Sequence, residues 1–97
     1  MAREFKDYHD YEKWYVWSDF IEAGIFFEGI GILLHRKLID IGLVDDLFSY
    51  IIKITWEKIK RVVEAVRKHN NAPQIFEWFE YLYSEMKKRE QQLAKIQ

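Results

Sequence analysis

AGIFFEGIGILLH, residues Ala23 to His35, is the least polar stretch of the chain, and its reading decides how the rest must fold. It carries a single carboxylate, Glu28, near its middle. A helix that is apolar along one stripe lies on a surface, whereas one that is apolar all round is buried. At helical spacing Phe20, Phe27 and Leu34 occupy one stripe, Ile21, Ile25 and Ile32 a second, and Phe26, Ile30 and Leu33 the remainder. The expectation is a central post with no solvent face between Ala23 and Leu34, enclosed on every side by other helices.

Gly24 and Gly31 lie seven residues apart with Glu28 between them on the same face. Each Gly costs about 1 kcal/mol of helix propensity relative to Ala, so two on one face imply that a backbone or a bulky ring approaches closely there. A carboxylate in such a place needs a partner, because a buried unpaired charge is strongly unfavourable. Glu28 is the sharpest polar candidate in the chain. It is either tied to a core Trp N–H, a Tyr hydroxyl or Arg67, or held neutral by burial and available for proton transfer or cation binding. Catalysis needs a second convergent group, and the sequence nominates none, which favours the structural role.

The same stretch is not expected to span a membrane. The window from Trp14 to Leu34 contains Asp19, Glu22 and Glu28, each costing about 3 kcal/mol near a bilayer centre.

Outward from this segment, the chain has 97 residues, enough for one modest core and one domain over residues 1–97. Hydrophobic residues make up 49% and aromatics 18%, which argues for a folded protein. A formal net charge of −1 supplies no global field toward nucleic acid or anionic lipid. The absence of cysteine removes disulfides, thiolate metal sites and cysteine nucleophiles together. The start, MAREFKDYHDYEK, lacks the apolar core of a signal peptide, so a cytoplasmic location is the default expectation. Ten Lys and ten Glu suit a thermophilic source.

Along the chain, rings recur at helical spacing from Phe5 to Trp17, and no Pro or Gly interrupts before Gly24. This predicts one long first helix from about Glu4 to Arg36, with a kink or cap near Ser18-Asp19. The pattern breaks at Leu38-Ile39-Asp40, and Asp40 reads as the N-cap of a short second helix from Ile41 to about Phe48. Its buried stripe would be Leu43, Val44, Leu47 and Phe48, with Asp45 and Asp46 facing water. A third helix begins at Ser49 or Tyr50 and runs to about Lys68, with Ile52, Trp56, Ile59, Val63 and Val66 as its apolar stripe. His69-Asn70-Asn71-Ala72-Pro73 is the one strong breaker cluster, and Pro73 is expected in the first turn of the fourth helix. There Ile75, Phe79, Leu82 and Met86 form the core stripe, and residues 87–97 read as a polar tail that frays or protrudes, or as a helix end used by a partner. The fold class is all-α, a small helical bundle of three long helices plus one short helix.

The order FFEGIGILLHRKLIDIGLVDDLF, then ITWEKIKRVVEAVRK, then FEWFEYLYSEMKKR resembles an uncharacterised all-α domain of archaeal and bacterial proteins. The resemblance covers about Phe20 to Arg89. It implies a Phe-Phe-Glu helix, a Gly-Leu-(Ile/Val)-Asp turn, a Trp-Glu helix and a terminal Glu-(Trp/Tyr)-Leu helix. It singles out Phe27, Glu28, Leu38, Asp40, Trp56, Arg67 and Glu80. Two positions depart from the pattern: Lys37 stands where Gly is expected, and Arg61 where Pro is expected. The resemblance also implies a membrane-tethered context with a spanning helix upstream, which this chain does not contain. It implies no activity.

Remaining chemistry is sparse. His9, His35 and His69 sit at segment ends without Glu-x-x-His or His-x-x-x-His spacing, so no metal site and no cofactor is expected. Ser18, Ser49 and Ser84 have no His at a suggestive offset. The glycines lie inside a helix with no preceding strand, which excludes a phosphate loop. Lys53 to Lys68 holds six basic and two acidic residues, whereas Met1 to Glu28 holds three basic and seven acidic. That asymmetry reads as a solvated helix face first, as charge-guided docking between copies second, and not as a nucleic-acid track. Tyr8, Tyr11, Trp14, Tyr15 and Trp17 exceed what a half-helix can hide in so short a chain, and aromatics are enriched at interface centres. Residues 1–19 are therefore read as an interface extension. The function expected is a non-catalytic protein-interaction or assembly module, self-associating through the first or last helix. The rival is a small-ligand or enzymatic pocket beside Glu28, with Trp56 and Arg67 as neighbours and Asp40 and Glu80 as further buried-polar candidates.

Overall fold

The computed structural model describes residues 8–96, with side chains described from Ser18 onward. Among the described residues there are three helices: α1 (Tyr8–His35), α2 (Ile41–His69) and α3 (Glu77–Ile96). Among the described residues there is no strand. The helices run up, down and up, with α1 and α3 sharing the most extensive contact. Along that contact Gly24 faces Phe76, Glu28 faces Phe79, and His35 faces Trp78 and Tyr81.

The α1–α2 turn is closed by backbone alone. Lys37 N–H donates to the Leu34 carbonyl at 3.0 Å and Leu38 N–H to the Leu33 carbonyl at 2.9 Å. This is the double bond of a Schellman ending, and it puts Lys37 at φ 60°, where Gly is preferred. The departure at Lys37 thus leaves the glycine-type turn geometry in place. Asp40 caps α2 as expected: its backbone is extended and its carboxylate accepts from Leu43 N–H at 3.2 Å. A second Schellman ending follows α2. Asn71, at φ 50°, donates to the Lys68 carbonyl and Ala72 to that of Arg67.

Two sequence expectations about the elements are corrected. There is no short helix ending at Phe48, because α2 is continuous through Ser49 and Tyr50. Its buried side, Val44, Ile52, Thr55, Trp56, Ile59 and Val63, keeps one helical phase throughout, and a lone Ser is too weak a signal to stop a helix. Nor does Pro73 open the last helix. It follows Ala72 in a turn closed by Ile75 N–H on the Ala72 carbonyl, and α3 begins four residues later at Glu77. The last helix runs through the polar segment to Ile96, as the helix-end reading of residues 87–97 allowed.

The core is Phe27, Val44, Ile52, Trp56, Ile59, Val63, Phe79, Leu82 and Met86, drawn from all three helices. Phe79 lies tilted against Phe27 with ring centres 5.4 Å apart and meets Trp56 edge-on at 5.2 Å. The largest correction concerns α1. It is not enclosed on every side: Ile25 is 61% exposed and Phe26 51%, with Gly29 and Leu33 on the same open flank. Two helices cover only about half of a third one's circumference, and among the described residues no fourth helix covers the rest. Leu43 and Leu47, expected in the buried stripe of α2, are likewise exposed, while Asp45 is partly buried against Arg89 at 3.0 Å.

Candidate functional site

The Gly24–Glu28–Gly31 stripe is where α3 begins. Phe76 precedes the first residue of α3 and supplies the first intrahelical acceptor, its carbonyl receiving Glu80 N–H at 3.0 Å. At such a position Ser, Thr, Asp or Asn usually bonds a first-turn N–H, and Phe has no atom to do so. Glu28 does it from the neighbouring helix: its Oε1 accepts Phe79 N–H at 2.7 Å. The lone carboxylate of α1 is therefore a helix cap supplied in trans, favoured also by the positive end of the α3 dipole.

The two glycines make this possible. A Cβ on Gly31 would clash with the Trp78 carbonyl oxygen and lie 2.7 Å from its carbonyl carbon. A Cβ on Gly24 would lie 3.2 Å from the tip of the Phe76 ring and 3.3 Å from Ile59 Cδ1. One glycine admits a backbone and the other a ring, the two alternatives the sequence implied. Phe76 itself sits at φ 55°, a conformation disfavoured for an aromatic residue, and its ring is held between Gly24 and Phe79.

Arg67 fastens the other side of the same junction. Its Nε donates to the Ile75 carbonyl at 2.8 Å and its Nη1 to Glu80 at 2.8 Å. Its guanidinium carbon lies 5.9 Å from the centre of the Trp56 ring, and Nη2 is buried without a hydrogen-bond partner. Glu28 and the Arg67–Glu80 pair thus meet at one junction, Glu28 holding the start of α3 and Arg67 tying it to the turn before it, with Trp56 packed on Phe79 and Arg67 beside them. Asp40 is not among them; it caps α2. Tyr8, Tyr11, Trp14, Tyr15 and Trp17 lie on the α1 backbone, but their side chains are outside the described residues.

A groove of about 470 Å³ runs between the first half of α2 and the last half of α3, floored by Ile52, Tyr83 and Met86. Glu28, Trp56 and Arg67 do not line it. One turn on from Gly31, the His35 ring lies tilted against Trp78 with centres 4.6 Å apart and meets Tyr81 edge-on at 5.4 Å. Partial burial first, and the Glu85 carboxylate second, hold the Tyr81 phenol above its usual range. Among the described residues no three His, Cys, Asp or Glu side chains gather as a metal site would require, and no helix is long and apolar enough to cross a membrane.

What sequence reasoning missed is a surface. The face shared by α1 and α2, on the side away from α3, carries Phe26 and Leu33 from α1 and Leu43, Leu47 and Ile51 from α2, all exposed, whereas the exposed Tyr50 lines the groove toward α3. Phe26 and Phe48 meet edge-on at 5.7 Å and join the two helices beneath it. The signal was present as a second apolar stripe on α2, running Leu43, Leu47, Ile51, Ile54 beside the first. One three-helix core can bury only one such stripe.

A family model described as Domain of unknown function (DUF4760) matches residues 17–86, most of the chain including the whole Glu28 junction, and the chain belongs to that family. No curated protein and no solved structure matches it.

Proposed function

We propose that this DUF4760 chain is a non-catalytic helical interaction and assembly module. The observation that carries the reading is the exposed apolar face of α1 and α2. Scattered single apolar residues on a surface are ordinary, whereas five large apolar side chains on one face of two packed helices mark a docking surface. The polar residues that would have built a pocket are engaged otherwise: Glu28 caps α3, and Arg67 is bonded to Ile75 and Glu80. Both side chains thus hold the helices together, which supports the structural role over the pocket.

The test is to place charge on the face without touching the core. Leu47 is 59% exposed, so Leu47→Arg should leave helix content unchanged. It should abolish binding of an apolar fluorescent dye and of any protein that the wild-type chain retains. Unchanged dye binding with an intact fold would refute the docking role of this face.

A further inference from the structure

Resting on that reading, we infer that the occupant of the α1–α2 face is a second copy of this chain, packed so that α1 of each copy lies on α2 of the other. Two observations identify it: how much apolar surface is open, and how charge is distributed at its end.

The five exposed side chains on the face, Phe26, Leu33, Leu43, Leu47 and Ile51, are between 36% and 59% exposed. With full side-chain areas on the order of 200 Å², they present roughly 500 Å² of apolar surface. That is at the upper end of the largest patch of an ordinary monomer, about 300–600 Å², a size that is often functional. With the exposed charged side chains at its end, the face approaches the roughly 800 Å² that each partner contributes to a standard interface. A self-complementary pairing of this face together with its charged end therefore suits a two-fold dimer.

Charge selects the arrangement. The 3.6-residue repeat that puts Phe26 and Leu33 on the face puts Asp19 and Glu22 at its end on α1, and Lys58 and Arg61 at its end on α2. These two ends are level, because Gly24 lies against Ile59 where the antiparallel helices cross. All four side chains are exposed, and among the described residues none has an ion-pair partner. A two-fold axis parallel to the helices keeps the charged ends of both copies at the same height. It seats the acidic turn of each α1 over the basic turn of the other copy's α2. A two-fold axis across the helices instead sets α1 on α1 with the charged ends apart, and leaves the charges without partners. The first arrangement makes α1 and α2 of both copies a four-helix layer in which every neighbour is antiparallel.

Two charge-reversed chains test this. One carries Asp19→Lys and Glu22→Lys, the other Lys58→Glu and Arg61→Glu. All four positions are on the surface, so circular dichroism should show both variants folded. Each alone places like charges across both halves of the two-fold interface, and sedimentation velocity should show each at least tenfold weaker in self-association than wild type. Mixed in equal amounts, they restore opposite charge at both halves, and a heterodimer of wild-type strength should form. Failure of the mixture to associate more tightly than either component overturns the arrangement. A wild-type chain that is monomeric but binds apolar dye on this face, with the dye lost in Leu47→Arg, overturns the second-copy assignment and leaves the docking role standing. A monomer that takes no dye overturns both.

Discussion

The sharpest energetic consequence of the α1–α3 contact is that two glycines two residues apart in one helix should respond oppositely to the same substitution. At Gly29 nothing lies within 4 Å of an added Cβ, so Gly29→Ala should only improve helix propensity and stabilise by about 0.5–1 kcal/mol. At Gly31 the added Cβ clashes with the Trp78 carbonyl oxygen. Backbone in the first turn of a helix cannot rotate aside as a flexible side chain can, so α1 and α3 must move apart. Overpacking of this kind costs about 1–3 kcal/mol and occasionally more. The separation also lengthens the 2.7 Å bond from Phe79 N–H to Glu28, for which a lost cap adds about 1 kcal/mol. Against a propensity gain of about 1 kcal/mol, Gly31→Ala should destabilise by roughly 2 kcal/mol, a fall in melting temperature on the order of 10 °C for a domain of this size. Thermal and urea unfolding followed by circular dichroism, in a Leu47→Arg background so that association does not contribute, measures both. Equal effects of the same sign at the two positions would show that α3 does not approach α1 through Gly31.

Three further outcomes follow from named contacts. Glu28→Ala should cost about 1–2 kcal/mol by leaving Phe79 N–H without its acceptor, and Glu28→Gln, which keeps a carbonyl oxygen, should cost clearly less. Denaturant midpoints decide the order, and association measured on the same samples should not change. Lys37→Gly should stabilise by about 1 kcal/mol, because the left-handed conformation at φ 60° is strained for Lys and free for Gly; an unchanged or lower midpoint contradicts the turn geometry. The raised Tyr81 phenol favours the neutral form in the folded state, so its contribution is complete below the unfolded value of about 10 and is lost as pH rises above it. Melting temperature should therefore fall more steeply above that pH in wild type than in Tyr81→Phe, and parallel curves would contradict it.

The parts of the fold legible in the sequence were those set by local signals. Asp40 as a cap, the breaker cluster ending at Pro73, and the buried stripe Ile52, Trp56, Ile59, Val63 all depend on residues within one or two turns of each other. The Gly24–Glu28–Gly31 stripe was legible too, since three unfavourable choices on one helix face require a neighbour. Which neighbour it was could not be read, because the missing cap lies 51 residues away at Phe79. The boundary placed at Ser49 failed because a weak propensity signal was set above an uninterrupted helical phase. The enclosure of α1 failed for another reason. Hydrophobicity states that a surface leaves water, not which molecule covers it, and an apolar flank reads the same whether its cover is intramolecular or a second copy. That ambiguity is why Phe26, Leu33, Leu43 and Leu47 looked like core.

Sedimentation velocity of the wild-type chain and of Leu47→Arg across a concentration series addresses that flank most directly. Wild type should shift from one chain to two as concentration rises through the micromolar range, while Leu47→Arg, with the same helix content, should remain a single chain throughout. A wild type that stays a single chain at every concentration, or a Leu47→Arg variant that dimerises as readily, would contradict the pairing of two copies through α1 and α2.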